Sequence, residues 1–230
     1  KLYLSFSLAC LKSHLNLYKK TLIKMNSIDK HKKDYTEKGT LLVSYDNLDF
    51  PLTKENIQEL EKFCQEVEKE YISIGDAGEK NNLLVGRFMT DIEKPEVVQN
   101  SYSEKVISIL TEKKLINFLK IILDVNREIF LRRIQFNQID KNCFVGYHLD
   151  TDSNPDYIAA VVIQFSDLYK GGIYRVYQKD GKFSDFKSGY GDIIISNCNY
   201  PHEVTKVTEG ERKSLVFFVS YSDTENKRNT

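Results

Sequence analysis

The residues in this chain that could do chemistry are few and unevenly placed. His148-Leu149-Asp150 sets an imidazole and a carboxylate two residues apart, so in an extended segment both project to the same face. His202 comes 52 residues after Asp150, directly behind Pro201, at the start of another extended segment. There are only four histidines, His14, His31, His148 and His202, so any histidine-based metal site draws on a short inventory. Two histidines and one carboxylate offered from neighbouring strands leave three adjacent metal positions open, an arrangement suited to Fe(II). The same three side chains could hold zinc with a water molecule.

Arg212 lies ten residues beyond His202. Thr208-Glu209-Gly210-Glu211 reads as a hairpin turn between them, so Arg212 is expected to begin the returning strand, ~10–15 Å from the metal by strand rise. A five-carbon dicarboxylate held by the metal at one end and by a bidentate guanidinium at the other would span that gap. Ser214 shares the strand face of Arg212 and can add a hydroxyl donor to the same carboxylate.

Four motifs make the stretch from Leu131 to Tyr221 resemble the catalytic core of the Fe(II)- and 2-oxoglutarate-dependent oxygenases, on the prolyl 4-hydroxylase-like branch. They are IQFNQIDKNCFVGYHLD (134–150), GGIYRVY (171–177), GYGDIIIS (189–196) and PHEVTKVTEGERKS (201–214). The resemblance implies a double-stranded β-helix, with His148, Asp150 and His202 as iron ligands and as the catalytic centre. It implies Arg212, with Ser214, as the anchor of the 2-oxoglutarate distal carboxylate. Fe(II), 2-oxoglutarate and O2 are the implied cofactor and cosubstrates, and ascorbate is a candidate reductant. The implied reaction is hydroxylation of a peptide side chain or small molecule, with release of succinate and CO2. A carboxylate in the triad argues against halogenation. Two departures stand out: Ile139 falls where a tyrosine commonly helps hold 2-oxoglutarate, and Arg212 stands where many prolyl hydroxylases carry lysine.

Substrate contacts are sought on the strand YRVY. Arg175 and Tyr177 alternate with Tyr174 and Val176, and the Arg175/Tyr177 pair is expected to face the barrel mouth. Asn137 and Tyr147 are further candidates, as are Arg133 and Tyr157. Gly171-Gly172 reads as a turn, because no helix with phosphate-binding glycine spacing follows it.

The elements that must position these residues change character near Arg127. Before it, Lys54–Tyr71 has helical spacing behind Thr53 as N-cap, Gly75–Asn82 reads as a loop, and a helical face from Ser103 to Leu123 breaks near Thr111. After it come short segments rich in Val, Ile, Phe and Tyr, punctuated by Gly, Asp and Asn, which read as strands. Many evenly spaced strands without intervening helices point to a β-barrel. The expected class is α+β, a jelly-roll or cupin-like barrel with helices packed on its outer face. The expected divisions are a basic segment (1–34), a helical support region (35–126), the barrel core (127–222) and a polar tail (223–230).

Lysine plus arginine and aspartate plus glutamate balance at 33 each, which disfavours nucleic acid or an acidic membrane as partner. No apolar run reaches the ~18 residues of a membrane span. Four cysteines with no C-x-x-C pair suggest reduced thiols and a cytoplasmic location. Residues 2–11 could be the core of a signal peptide, with Ala9-Cys10 as a cut or lipidation point. The preferred reading is an extension upstream of a start at Met25, dispensable for catalysis. Two other functions share the site: a cupin-like binding module without turnover, and a zinc hydrolase.

Overall fold

A computed structural model describes residues 27–228, so the readings of residues 1–26 lie outside the described residues. The helical part opens with α1 (residues 27–38) and includes α2 (Lys54–Glu66), α3 (Ser103–Leu110) and α4 (Lys113–Ile122). Thr53 caps α2, taking the Asn56 N–H on its hydroxyl while the Asn56 side chain takes the Thr53 N–H. The helix stops earlier than its spacing suggests: Val67 turns to extended backbone. Lys69–Ile74 instead forms β2, paired with β3 (Lys80–Asp91). With β1 (Thr40–Val43) and β4 (Pro95–Val97), the stretch expected to be a helical support holds four strands beside its helices.

The barrel strands are β5 (Phe130–Ile139), β6 (Phe144–His148), β7 (Tyr157–Gln164), β8 (Lys170–Gly171), β9 (Tyr174–Tyr177), β10 (Phe183–Phe186), β11 (Ile193–Asn197), β12 (His202–Val204), β13 (Val207–Glu209) and β14 (Arg212–Ser220). The larger sheet runs β1-β11-β7-β14-β5-β3 and the smaller β6-β12-β9-β10, with β3 pairing both β5 and β6. All pairings are antiparallel, and the chain passes repeatedly between the two sheets, which is the winding of a double-stranded β-helix. The turn at Gly210 is therefore a crossing rather than a hairpin. β14 pairs with β5 and β7, not with β12, so Arg212 comes from the sheet opposite His202.

Strand alternation explains the two cores. Val161 and Ile163 of β7 face the helices together with Leu60, Leu110, Leu115 and Phe217. Val162, on the other face, meets Leu83, Tyr174, Ile194 and Val204 between the sheets. Burial on both faces is why this strand reads as one apolar run. Residues 223–228, expected as a tail, are tied down: Asn226 donates its side-chain N–H groups to the carbonyls of Asp91 (2.8 Å) and Ser153 (3.2 Å).

Candidate metal centre

β6 and β12 are neighbours, and His148 lies directly opposite His202 in their register. Asp150 begins a short 3-10 turn (Asp150–Asp152) just past the end of β6. Its carboxylate lies 3.3 Å from His148 Nε2 and 3.6 Å from His202 Nε2. One ligand atom from each of the three falls within 4.8 Å of the others. Both rings are oriented from behind: His148 Nδ1 is 2.8 Å from the Gly146 carbonyl, and His202 Nδ1 is 3.2 Å from the Tyr200 carbonyl. With each ring neutral and donating through Nδ1, each Nε2 lone pair is aimed at the common centre. Gly146 is required where β6 crosses β3, because a Cβ there would collide with the Lys80 carbonyl.

The electrostatics follow from burial and crowding. Burial pushes the His148 imidazole down, but the Asp150 carboxylate outweighs it and holds the ring up at about 9. Burial carries His202 down to about 4. Burial also pushes the Asp150 carboxyl up, yet the two imidazoles hold it below the usual carboxylate range.

The triad opens into a cavity of about 850 Å³, counting its mouth, between the two sheets. Arg212 projects into the same cavity from the opposite wall, 2 % exposed. Its Nη1 donates to Ser214 Oγ at 3.1 Å, while Nε and Nη2 have no partner among the described residues. Burial lowers its pKa. A guanidinium at this depth with two free donors is costly unless an anion meets it. Gly172, at φ 58, lets the β8–β9 turn press against this arginine, since a Cβ there would sit 3.1 Å from Arg212 Cδ.

Tyr174 was missed by the sequence reading. It is buried against His202, with ring centroids 5.1 Å apart, and its hydroxyl has no partner among the described residues. Ile139, where a cosubstrate tyrosine was looked for, is a core residue paired with Arg212. Tyr174 thus offers a phenol to the same cavity from a different strand. The strand register could have found it. His202 pairs with Val176 and Glu203 with Arg175, so once His202 faces inward, Tyr174 and Val176 must also.

That register reverses the expected facing of YRVY. Arg175 and Tyr177 lie on the outer face, where Arg175 pairs with Asp185 (2.7 Å) and the Tyr177 hydroxyl donates to Glu203 (2.7 Å). Tyr147 is exposed there too, its ring 5.0 Å from that of Tyr177. Neither these three nor Tyr157 line the cavity, whereas Asn137 and Arg133 do.

Two histidines and a carboxylate of a double-stranded β-helix, aimed into a cavity that ends in a buried arginine, could together hold a single metal ion. Residues 134–220 match the family model of the 2OG-Fe(II) oxygenase superfamily. Over 156 residues it is 29% identical to a PKHD-type hydroxylase of Prochlorococcus marinus (strain AS9601), a match covering 65% of this chain. The chain spans 63% of the length of that curated relative. A solved oxidoreductase of the 2OG-Fe(II) oxygenase family from Burkholderia pseudomallei superposes with a TM-score of 0.80 at 28% identity, covering 88% of this chain and 94% of that one. A Pseudomonas putida prolyl-4-hydroxylase shares the fold, with a TM-score of 0.60 at 16% identity over 85% of this chain and 99% of that one.

Proposed function

We propose that this chain is an Fe(II)- and 2-oxoglutarate-dependent dioxygenase, hydroxylating a peptide side chain or small molecule and releasing succinate and CO2. The observation that carries the reading is Arg212: a fully buried guanidinium with two nitrogens unpartnered among the described residues, in one cavity with the His148/Asp150/His202 cluster. A dicarboxylate bound to a metal at the triad would reach this arginine with its free end. Asp150 Oδ2, also buried and without a hydrogen-bond partner among the described residues, is the matching unsatisfied atom on the metal side.

His148, Asp150 and His202 would hold the iron, and Arg212 would grip the distal carboxylate of 2-oxoglutarate. When bound there, Fe(II) with 2-oxoglutarate and O2 supplies the oxidising power for C–H hydroxylation. The protein's own part is positioning. The Gly146 and Tyr200 carbonyls fix the two rings, Ser214 steadies the Arg212 fork, and Tyr174 offers a hydroxyl donor. Val162, Val204 and Val216 line the cavity and limit water around the cosubstrate.

A zinc hydrolase or a cupin-like binding module leaves the buried Arg212 charge unexplained. Cys64, Cys143 and Cys198 are free thiols, which supports a reducing, cytoplasmic setting. None of the described helices is long and apolar enough to cross a membrane. The test is succinate release from 2-oxoglutarate with Fe(II) under air. Wild type should produce it, while His148→Ala and His202→Ala should not. Equal succinate formation in these variants would remove the triad from the reaction.

A further inference from the structure

The cavity has an arginine at each end. β5 and β14 run side by side, with Arg212 opposite Ile139, Ser214 opposite Asn137, and Phe218 opposite Arg132. Six residues of strand therefore separate the Arg212 end from the Phe218 end, ~20 Å by strand rise. At the Phe218 end the pairing skips one residue of β5, which is Arg133. Arg133 has φ 37, a conformation that a bulky side chain rarely adopts. The bulge puts two successive arginines on the cavity side of the sheet. Arg132 is consumed by Asp91, but Arg133 is aimed into the cavity, 6 % exposed. Bulges beside active sites commonly re-aim a side chain in this way.

Two further observations fix what Arg133 could do. Its Nη1 is 3.4 Å from Ser153 Oγ, which itself donates to the Asp150 carbonyl at 2.8 Å. The guanidinium therefore lies within about 10 Å of the triad, the reach of two hydrogen bonds and a residue. Its Nη2 already takes a carboxylate, that of Asp76 at 3.1 Å, from the turn between β2 and β3. Asp76 is partly exposed and can swing away. Beside Arg133, the same strand presents the neutral amides of Gln135 and Asn137 to the cavity.

We propose that Arg133 anchors the carboxylate of the primary substrate, displacing Asp76, so that the enzyme acts on a carboxylate-bearing molecule of amino-acid size. This rests on the oxygenase reading above and adds the substrate class. Arg87, which also lines this side opposite Gln135, is taken by Glu70 at 2.6 Å, so Arg133 beside neutral amides suits a monoanion better than a phosphate dianion. A substrate held there lies across the triad from the Arg212 end, so the two carboxylates do not compete for one arginine.

The test is a calorimetric titration, under argon, of enzyme loaded with Mn(II) and 2-oxoglutarate. The probes are the twenty L-amino acids and their carboxamides. At least one acid should bind wild type about tenfold or more tightly than its amide. Arg133→Gln should erase that preference, and Arg133→Lys should keep part of it. Asp76→Asn should tighten binding of the acid, because the internal competitor is gone. If Asp76 is instead a latch holding the hairpin over the cavity, Asp76→Asn and Arg133→Gln will weaken binding alike, and the proposal fails. It fails equally if no acid binds wild type, or if amides bind as well as acids. Acid and amide are compared on wild type, so a poorly folded variant does not blunt the test. Succinate formation by wild type alone separates this failure from that of the oxygenase reading, since that signal needs no primary substrate.

Discussion

His148 and His202 face each other across the paired strands β6 and β12, with ring centroids 4.3 Å apart and planes inclined by 54°. Two imidazoles this close, with Asp150 beside both, cannot all hold their own protons. One proton sits on His148, held up at about 9, while His202, held down at about 4, is neutral.

Metal loading should therefore release a proton. Below about pH 9 the metal must displace the His148 proton, so the apparent affinity should rise with pH, by about tenfold per unit between pH 6 and 8. His202 is already neutral there and adds nothing to the slope. Mn(II) titrations at three pH values measure this, and a flat profile would mean that His148 carries no proton in the metal-free protein.

Tyr174→Phe should separate cosubstrate binding from metal binding. The hydroxyl lacks a well-formed hydrogen bond among the described residues, with Ser196 its nearest polar neighbour, so its loss should change stability little. The affinity for 2-oxoglutarate should fall about tenfold if the phenol donates to a cosubstrate carboxylate. Thermal unfolding and 2-oxoglutarate titration, run on the same variant, read the two effects separately.

Asp91→Ala should be among the most damaging substitutions outside the cavity. Both Asp91 and Arg132 side chains are fully buried, and the Tyr157 hydroxyl (2.6 Å) and Asn154 (3.1 Å) also donate to Asp91. Removing the carboxylate strands a buried guanidinium, at a cost of about 3–5 kcal/mol. Urea unfolding measures it. A change under about 0.5 kcal/mol, as at an exposed site, would show the network to be dispensable.

The chemistry was more legible in the sequence than the framework that delivers it. His148, Asp150, His202 and Arg212 stand in compact motifs with fixed spacing, and short apolar strands announced the barrel. The β2–β3 hairpin was hidden because Asn81, Asn82, Gly86 and Arg87 interrupt the alternation of β3, while Val67 and Tyr71 mimic the helical spacing of α2. Tertiary pairing decided there against local pattern. The facing of YRVY was ambiguous because each face of the strand carries a tyrosine, and only its pairing with His202 settles which one turns inward. The bulge at Arg133 leaves no trace in composition, since it is a property of register.

The central claim is that Arg212 and the triad form one cosubstrate site. It is tested most directly by titrating 2-oxoglutarate into Mn(II)-loaded wild type, Arg212→Lys and Arg212→Ala. A one-sided loss in a buried charge pair costs about 3–5 kcal/mol, so Arg212→Ala should weaken 2-oxoglutarate by two to three orders of magnitude, at about 1.4 kcal/mol per tenfold. Arg212→Lys should fall between, keeping the charge but losing the fork, and Mn(II) affinity should hold in all three. Unchanged 2-oxoglutarate affinity in Arg212→Ala would contradict the assignment.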